Sequence, residues 1–319
     1  MTTAASTGNT HSSIYVVGID VGGTKIHAGL VDANGDIVAE TTVPTHVASG
    51  ADLASQLVEV IGNLADLGGV TLSQIVATGI GGAGVPNDTA GFDLAPNLSA
   101  TENGLSEDLE AALGHPVLLE NDVNVAAVGE LHSGVGRESD NFVYVAVGTG
   151  IGMGIVANGS LVRGATGAAG EIGYLPIGAD PFDERNHRRG PLEESLAGHT
   201  LADRYRLSTG RTITTREVFD RVAEDDEHAV AAVSDEAKHL ALGLAAVNAV
   251  LNPEIIVLGG GVGSRPELLL PLAAWLLELG IPSIDVRLSE LGHRAPVVGA
   301  ARLALDHILA PLVSKGLTR

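Results

Sequence analysis

Three glycine-rich turns, each directly after a β-branched run, are the segments of this 319-residue chain best suited to chemistry: Asp20-Val-Gly-Gly-Thr-Lys25, Val147-Gly-Thr-Gly-Ile-Gly152 and Val257-Leu-Gly-Gly-Gly261. Glycine has no Cβ, so backbone N–H groups at such turns can approach an anion closely. Three of them suit a nucleotide whose phosphates are held from several sides. In the first turn the amides of Gly22 and Gly23 and the hydroxyl of Thr24 are candidates for phosphate oxygens, Lys25 adds a positive charge, and Asp20 at the strand end can hold Mg²⁺. Gly148, Thr149 and Gly150, then Gly259, Gly260 and Gly261, repeat the anion-binding chemistry. The Walker A spacing G-x-x-x-x-G-K-[ST] is absent from the first turn, which implies a different nucleotide fold.

Asn121-Asp122 lies between the first and second turns. Asp122, at the end of an apolar strand, supplies a carboxylate that can take the proton of an attacking hydroxyl as phosphoryl transfer proceeds. The alternative local reading makes Asp122 the cap of a helix beginning at Val123. Phosphate turns plus one such carboxylate point to a small-molecule kinase. Gly79-Ile-Gly-Gly-Ala-Gly84 matches G-x-G-x-x-G and raises a dinucleotide-binding alternative. Val85-Pro-Asn-Asp88 continues it as a loop instead of opening a helix toward a pyrophosphate, so the segment, Gly82 included, reads as a loop approaching a sugar. Glu171 and Glu193 are candidates to accept hydrogen bonds from sugar hydroxyls, although Glu193 also fits as a favourable charge in a helix's first turn. The eleven histidines show no ligand-type spacing, and no metal-ligating cluster is read.

Composition narrows the classes. With 39 acidic against 18 basic residues the net charge is −21, which opposes binding to nucleic acid and to anionic membranes. The absence of cysteine removes disulfides, thiolate catalysis and Cys-based zinc sites. Residues 1–13 are polar without signal-peptide features, and no apolar run reaches membrane length, so a cytoplasmic protein with a disordered leader is expected. Strands are expected at 14–20, 26–31 and 36–43 as an antiparallel meander, then at 74–80 and 117–120, with helices at 53–67 and 123–132. A second meander follows at 141–147 and 151–157 with a turn at Asn158-Gly159; a helix over 227–251, stopped by Asn252-Pro253, precedes a strand at 255–258 and helices at 266–279 and 300–308. The expectation is an α/β fold of two duplicated lobes, 14–121 and 122–296, facing each other across a cleft, with a C-terminal helix in 297–319 packing back on the first lobe.

Taken together, these segments resemble the ROK family of sugar kinases in the actin-like ATPase superfamily, most closely its bacterial glucokinases, over Val16 to His307. The similarity rests on the turn at 20–25, Ala95-Pro-Asn97, Pro116-Val-Leu-Leu-Glu-Asn-Asp122-Val-Asn124 leading to Gly129-Glu130, the turn at 148–152, Gly170-Glu-Ile-Gly173, and Leu258-Gly-Gly-Gly261. The resemblance implies a two-lobe actin-like (ribonuclease H-like) fold, Mg-ATP as donor with the adenosine on the second lobe, and Asp122 as catalytic base. It also implies a hexose held by Asn97, Asn121, Asp122, Glu171 and Glu193, and a homodimer. Glucose phosphorylated at its 6-hydroxyl is the expected reaction, with an amino sugar, a mannose-type sugar or a cyclitol as alternatives. The chain departs from the family where Tyr174 replaces the histidine after Gly-Glu-Ile-Gly and where 178–191 lacks the zinc-binding cysteines; no structural zinc is expected, and Tyr174 joins the sugar-site candidates. The family also contains sugar-responsive repressors, which carry a helix-turn-helix module before the phosphate turn, where this chain has a short polar leader.

Overall fold

The computed structural model describes residues 14–46, 53–86, 92–93 and 104–316. The chain forms two compact units, passing from the first to the second between Asp122 and Val123 and returning between Pro296 and Val297.

In the first unit, β1 (Tyr15–Val21), β2 (Lys25–Asp32) and β3 (Ile37–Pro44) form the antiparallel meander. After α1 (Leu53–Gly68), β4 (Ile75–Gly82) pairs in parallel with β1. A two-residue hairpin, β5 (Val85–Pro86) and β6 (Phe92–Asp93), and α2 (Leu105–Leu113) then lead to β7 (Val117–Asn121), parallel to β4. The sheet order is β3-β2-β1-β4-β7. Strand alternation divides the core: Val17, Ile19 and Val21 pack with Leu57, Ile61 and Leu64 of α1, while Val16 packs with Ala301, Ala304 and Leu305 of the last helix, α10 (Ala295–Gly316).

The α10 face explains three strand glycines whose role the sequence alone does not state. Gly29, Gly18 and Gly79 stand side by side across β2, β1 and β4. A Cβ on Gly18 would lie 2.1 Å from the Val297 carbonyl oxygen, and one on Gly79 would lie 1.9 Å from that of Ala300. The glycines make a trough in which a helix backbone rests directly on the sheet. Residues 81–82, expected in a loop beyond the strand at 74–80, therefore extend a central strand bonded on both sides, and Val85 continues into a strand where a dinucleotide-binding turn would open a helix.

The second unit opens with α3 (Asp122–Ser133), whose first residue belongs to the first unit. It repeats the sheet: β8 (Phe142–Val147), β9 (Ile151–Ala157) and β10 (Ser160–Leu161) form a meander around Asn158 and Gly159, both with positive φ (52° and 68°). Between β10 and the next strand come α4 (Pro191–Leu196), α5 (Gly198–Thr209), α6 (Thr215–Val222) and α7 (Glu227–Leu251). Asp226 caps α7 by accepting from His228 N and Ala229 N, and Asn252, at φ 44°, ends it. β11 (Ile255–Gly259) runs into the single turn α8 (Gly260–Gly263); α9 (Leu269–Glu278) and β12 (Val286–Leu288) follow, giving the order β10-β9-β8-β11-β12. One face of this sheet packs on α4 to α7 and α9, the other on α3.

Because the trough admits no side chain, Gly79→Ala should lower the urea midpoint of the full chain by the equivalent of roughly 1–3 kcal/mol, the usual cost of overpacking. Gly62→Ala, inside α1 where a Cβ meets nothing within 4 Å, is the control expected not to lower the midpoint and to raise it modestly, since alanine is the better helix former.

Candidate active site

Parallel pairing aligns three strand ends in the first unit. Asp20 stands opposite Gly81 and Gly81 opposite Glu120, while Val21, Gly82 and Asn121 form the next row. Asp122 follows at once as the first residue of α3, where its charge also favours the helix N-terminus. Burial raises the Asp20 carboxyl from its ordinary 3.8 to about 7, the negative charge of Asp122 adds to the rise, and Lys25 opposes it. The two carboxylates therefore lie within each other's field, the arrangement that favours a shared proton or a cation. Gly82 sits between Val21 and Asn121 at the sheet's end. The Asn121 side chain donates to the Gly84 carbonyl at 3.0 Å and so holds the chain just beyond β4. Asn97 lies outside the described residues.

The first glycine turn is closed more tightly than its sequence suggested. Gly22 N–H donates to the Lys25 carbonyl at 3.0 Å, and the Gly22 carbonyl accepts from the Thr45 hydroxyl at 2.7 Å. That amide is committed to the hairpin, a correction to its assignment as a phosphate donor. Gly23, Thr24 and Lys25 are exposed at the tip.

The second turn is closed the same way. Gly148 N–H donates to the Gly150 carbonyl at 2.9 Å, and the Gly148 carbonyl accepts from Gly198 N at 2.7 Å. Thr149 is exposed, and a Cβ on Gly150 would come 2.4 Å from Glu193 Oε2. Glu193, in the first turn of α4, also accepts from Ile151 N at 3.0 Å; burial raises its pKa and this bond pulls the other way. Glu193 thus lies in the first turn of α4, where its charge is favourable, and its carboxylate also braces the second glycine turn. Gly170 to Tyr174 docks beside β9, since Met153 N donates to the Gly170 carbonyl at 3.0 Å, which brings the Glu171 segment alongside. A Cβ on Gly173 would be 3.3 Å from that of Glu193, so this segment and α4 touch. Tyr174 is half exposed, and its hydroxyl donates to the Arg188 carbonyl at 3.2 Å.

The third turn divides by role. Gly259 is required by Tyr144, whose hydroxyl lies 1.9 Å from the site of a Cβ, and Gly260 by its φ of 79° and the Val147 carbonyl. At Gly261 a Cβ would meet nothing, so its backbone faces open space next to Gly148. The Cys-free stretch is organised by polar contacts: Asp183 pairs with Arg185, Asn186 donates to the Asp180 carbonyl at 2.8 Å, and His187 bonds the Pro181 carbonyl at 3.1 Å.

Sequence reading missed the support behind these groups. Arg204 on α5 bonds the Ser195 carbonyl and Thr200, and pairs with Asp235 and with buried Glu236 on α7; it thereby fixes the α4–α5 junction that carries Glu193 and Gly198. Burial raises the Glu236 carboxyl to about 8 despite Arg204. The available signal was a polar helix face with Arg204, Asp235 and Glu236, but no local pattern links residues about thirty positions apart.

Comparison with known proteins agrees over nearly the whole chain. Residues 16–307 match the ROK family. A glucokinase of Streptomyces coelicolor is 32% identical over 91% of this chain and 97% of its own length. A ROK hexokinase from Thermus thermophilus superposes with a TM-score of 0.75 at 32% identity, covering 93% of this chain and all of that one. A ROK glucokinase from Streptomyces griseus, solved with glucose and AMPPNP, does so with a TM-score of 0.77 at 28% identity, covering 91% and 99%.

The raised pKa of Asp20 has a measurable consequence in the cation-free protein. Native Asp20 keeps its proton up to about pH 7 while the unfolded chain loses it near 3.8. Its contribution is complete below that lower value and is lost as pH rises through the upper one. Between pH 4 and 7 the wild-type unfolding free energy should fall by roughly 2–4 kcal/mol more than that of Asp20→Asn, read from paired urea titrations.

Proposed function

This chain belongs to the ROK family, and from that premise we propose that it is an ATP-dependent hexose kinase transferring the γ-phosphoryl group to a sugar hydroxyl, with glucose at its 6-hydroxyl as the first acceptor. The observation that carries the reading is the pair Asp20 and Asp122, brought by strand register to one end of one sheet, close enough for each to feel the other's charge.

Asp122 accepts the proton of the sugar hydroxyl as its oxygen attacks phosphorus; the O–P bond forms, and the bond to the departing ADP oxygen breaks. A half-buried carboxylate at a helix start is suited to this, because little solvent competes for the proton. Gly23, Thr24 and Lys25, exposed at their tip, and exposed Thr149 with partly buried Gly150 hold the phosphates, with Gly261 lying against the nucleotide. Asp20 is the group best placed to hold Mg²⁺ with Asp122 nearby: a partly buried carboxylate whose ionisation is suppressed by desolvation and a second anion fits a hard divalent cation. Mg²⁺ bound there would neutralise charge on the phosphates. Asn121, Glu171 and Glu193, with Gly82 and Asn97, orient the sugar. Tyr174 already donates its hydroxyl proton to Arg188, so its contribution to sugar choice is the shape of its ring, and an amino sugar, a mannose-type sugar or a cyclitol is the second acceptor class to try. The reading includes a homodimer in the cytoplasm; sedimentation at one protomer's mass would remove the dimer.

Asp122→Asn should preserve the far-UV spectrum and lower kcat by roughly 10²–10⁴, the usual worth of general-base assistance. ADP release measured with glucose, mannose, their N-acetylamino counterparts and inositol should be largest with glucose, and turnover confined to another member would reassign the acceptor. Near-full turnover of Asp122→Asn with every sugar would remove the base assignment.

A further inference from the structure

Glu130 is fully buried, yet the mechanism makes no use of it. It lies on α3, eight residues after Asp122, and its carboxylate is engaged on both oxygens. Oε2 accepts from Val135 N at 2.9 Å; Oε1 accepts from Leu291 N at 3.2 Å and from the hydroxyl of Ser289. Ser289 in turn accepts from Gly292 N at 2.8 Å and donates its own N–H to the Leu258 carbonyl at 2.9 Å. A Cβ on Gly134 would fall 1.9 Å from Glu130 Oε2, so the turn after α3 is shaped around this carboxylate. A buried anion held by two amides and a hydroxyl is an expensive way to fill a core, since an apolar side chain of similar volume packs there at less cost. What it provides is direction, because each oxygen demands a particular donor in a particular place.

The residues joined are informative. α3 is the helix on which the chain enters the second unit, and 289–296 is the segment on which it leaves, before α10 settles in the glycine trough beneath β1. Ala126 and Ala127 of α3 pack in one cluster with Ala295, with Leu291 against it, so the contact is apolar beside the carboxylate and polar at it. Because α3 is unbroken from 122 to 133, a shift of its far end is carried along the helix to its first residue.

We propose that Glu130 is a positioning residue for Asp122: it fastens α3 to the 289–295 segment and so sets where the helix presents its first carboxylate. This rests on the assignment of Asp122 as the base. Losing one of these bonds leaves the proposed phosphate-binding groups at 23–25 and 149–150 untouched, so the cost falls on kcat and not on KM.

The test is a double-mutant cycle in the full chain, with ADP release as readout, comparing wild type, Glu130→Gln, Asp122→Asn and the double variant. Glu130→Gln keeps the shape but turns one acceptor into a donor facing an N–H. It should lower kcat about 10–100-fold, as expected for a misplaced catalytic group, while the KM values for sugar and ATP stay within about twofold, and in the Asp122→Asn background the same change should cost less than about twofold. Equal losses in both backgrounds, or a loss confined to KM, would overturn the proposal and leave the base assignment standing. An Asp122→Asn enzyme with near-full turnover would end the base assignment itself, and the positioning role with it. Should Glu130→Gln not fold, Ser289→Ala, which removes one bond to Oε1 and the acceptor of Gly292 N, replaces it in the same cycle with the same criteria and a smaller expected loss.

Discussion

The register of three parallel strands is the constraint on which the site depends. β1, β4 and β7 end together, and the pairing of Asp20 with Gly81 and Gly81 with Glu120 decides which side chains meet at that edge. Side chains alternate along a strand, so a slip of one residue would exchange Asp20 for Val21 and turn the carboxylate to the opposite face. The slip is opposed from both faces of the sheet. Val17, Ile19 and Val21 must cover α1, and Gly18 and Gly79 must lie under α10, which tolerates no Cβ there. Gly79, which belongs to the G-x-G-x-x-G match, is with Gly18 what lets the last helix lock the register.

Electrostatics then gives the edge its chemistry. A carboxyl buried beside another carboxylate resists ionisation, and Asp20 shows this by its pKa near 7. A cation relieves the conflict, and a proton delivered to Asp122 relieves it as well, so one arrangement favours both functions asked of it. The second unit contributes positions more than charges. Its glycine turn at 148–150 is closed by its own backbone, buttressed by Gly198 and by Glu193, and the helix junction behind it is held by Arg204 between Asp235 and Glu236.

Much of this was legible in the amino-acid sequence, for definite reasons. The meanders announce themselves as β-branched runs between tight turns, and α7 as a long apolar helix with Asp226 before it and Asn252-Pro253 after it. The family was legible from the order of its motifs. What was not legible is whatever depends on a distant partner. Nothing around Gly79 says that a helix more than two hundred residues later will lie on it, and Gly81 and Gly82 of the same strand read as a loop. α5 and α6 are short and polar, with few buried apolar residues to mark a period. The commitment of Gly22 N–H to Lys25 is a matter of turn closure, which residue types alone leave open. Glu130 stood in the motif Gly129-Glu130, but two of its three partners are 159 and 161 positions away.

The central claim is that Asp122 faces the hydroxyl that receives the phosphoryl group. A crystal structure of the full chain with glucose and a non-hydrolysable ATP analogue tests it most directly. The account predicts an Asp122 carboxylate oxygen at about 2.6–3.2 Å from the sugar oxygen nearest the γ-phosphorus, the reach of a general base. A sugar bound with that oxygen bonded to a different acid, and Asp122 turned away from it, would contradict the account.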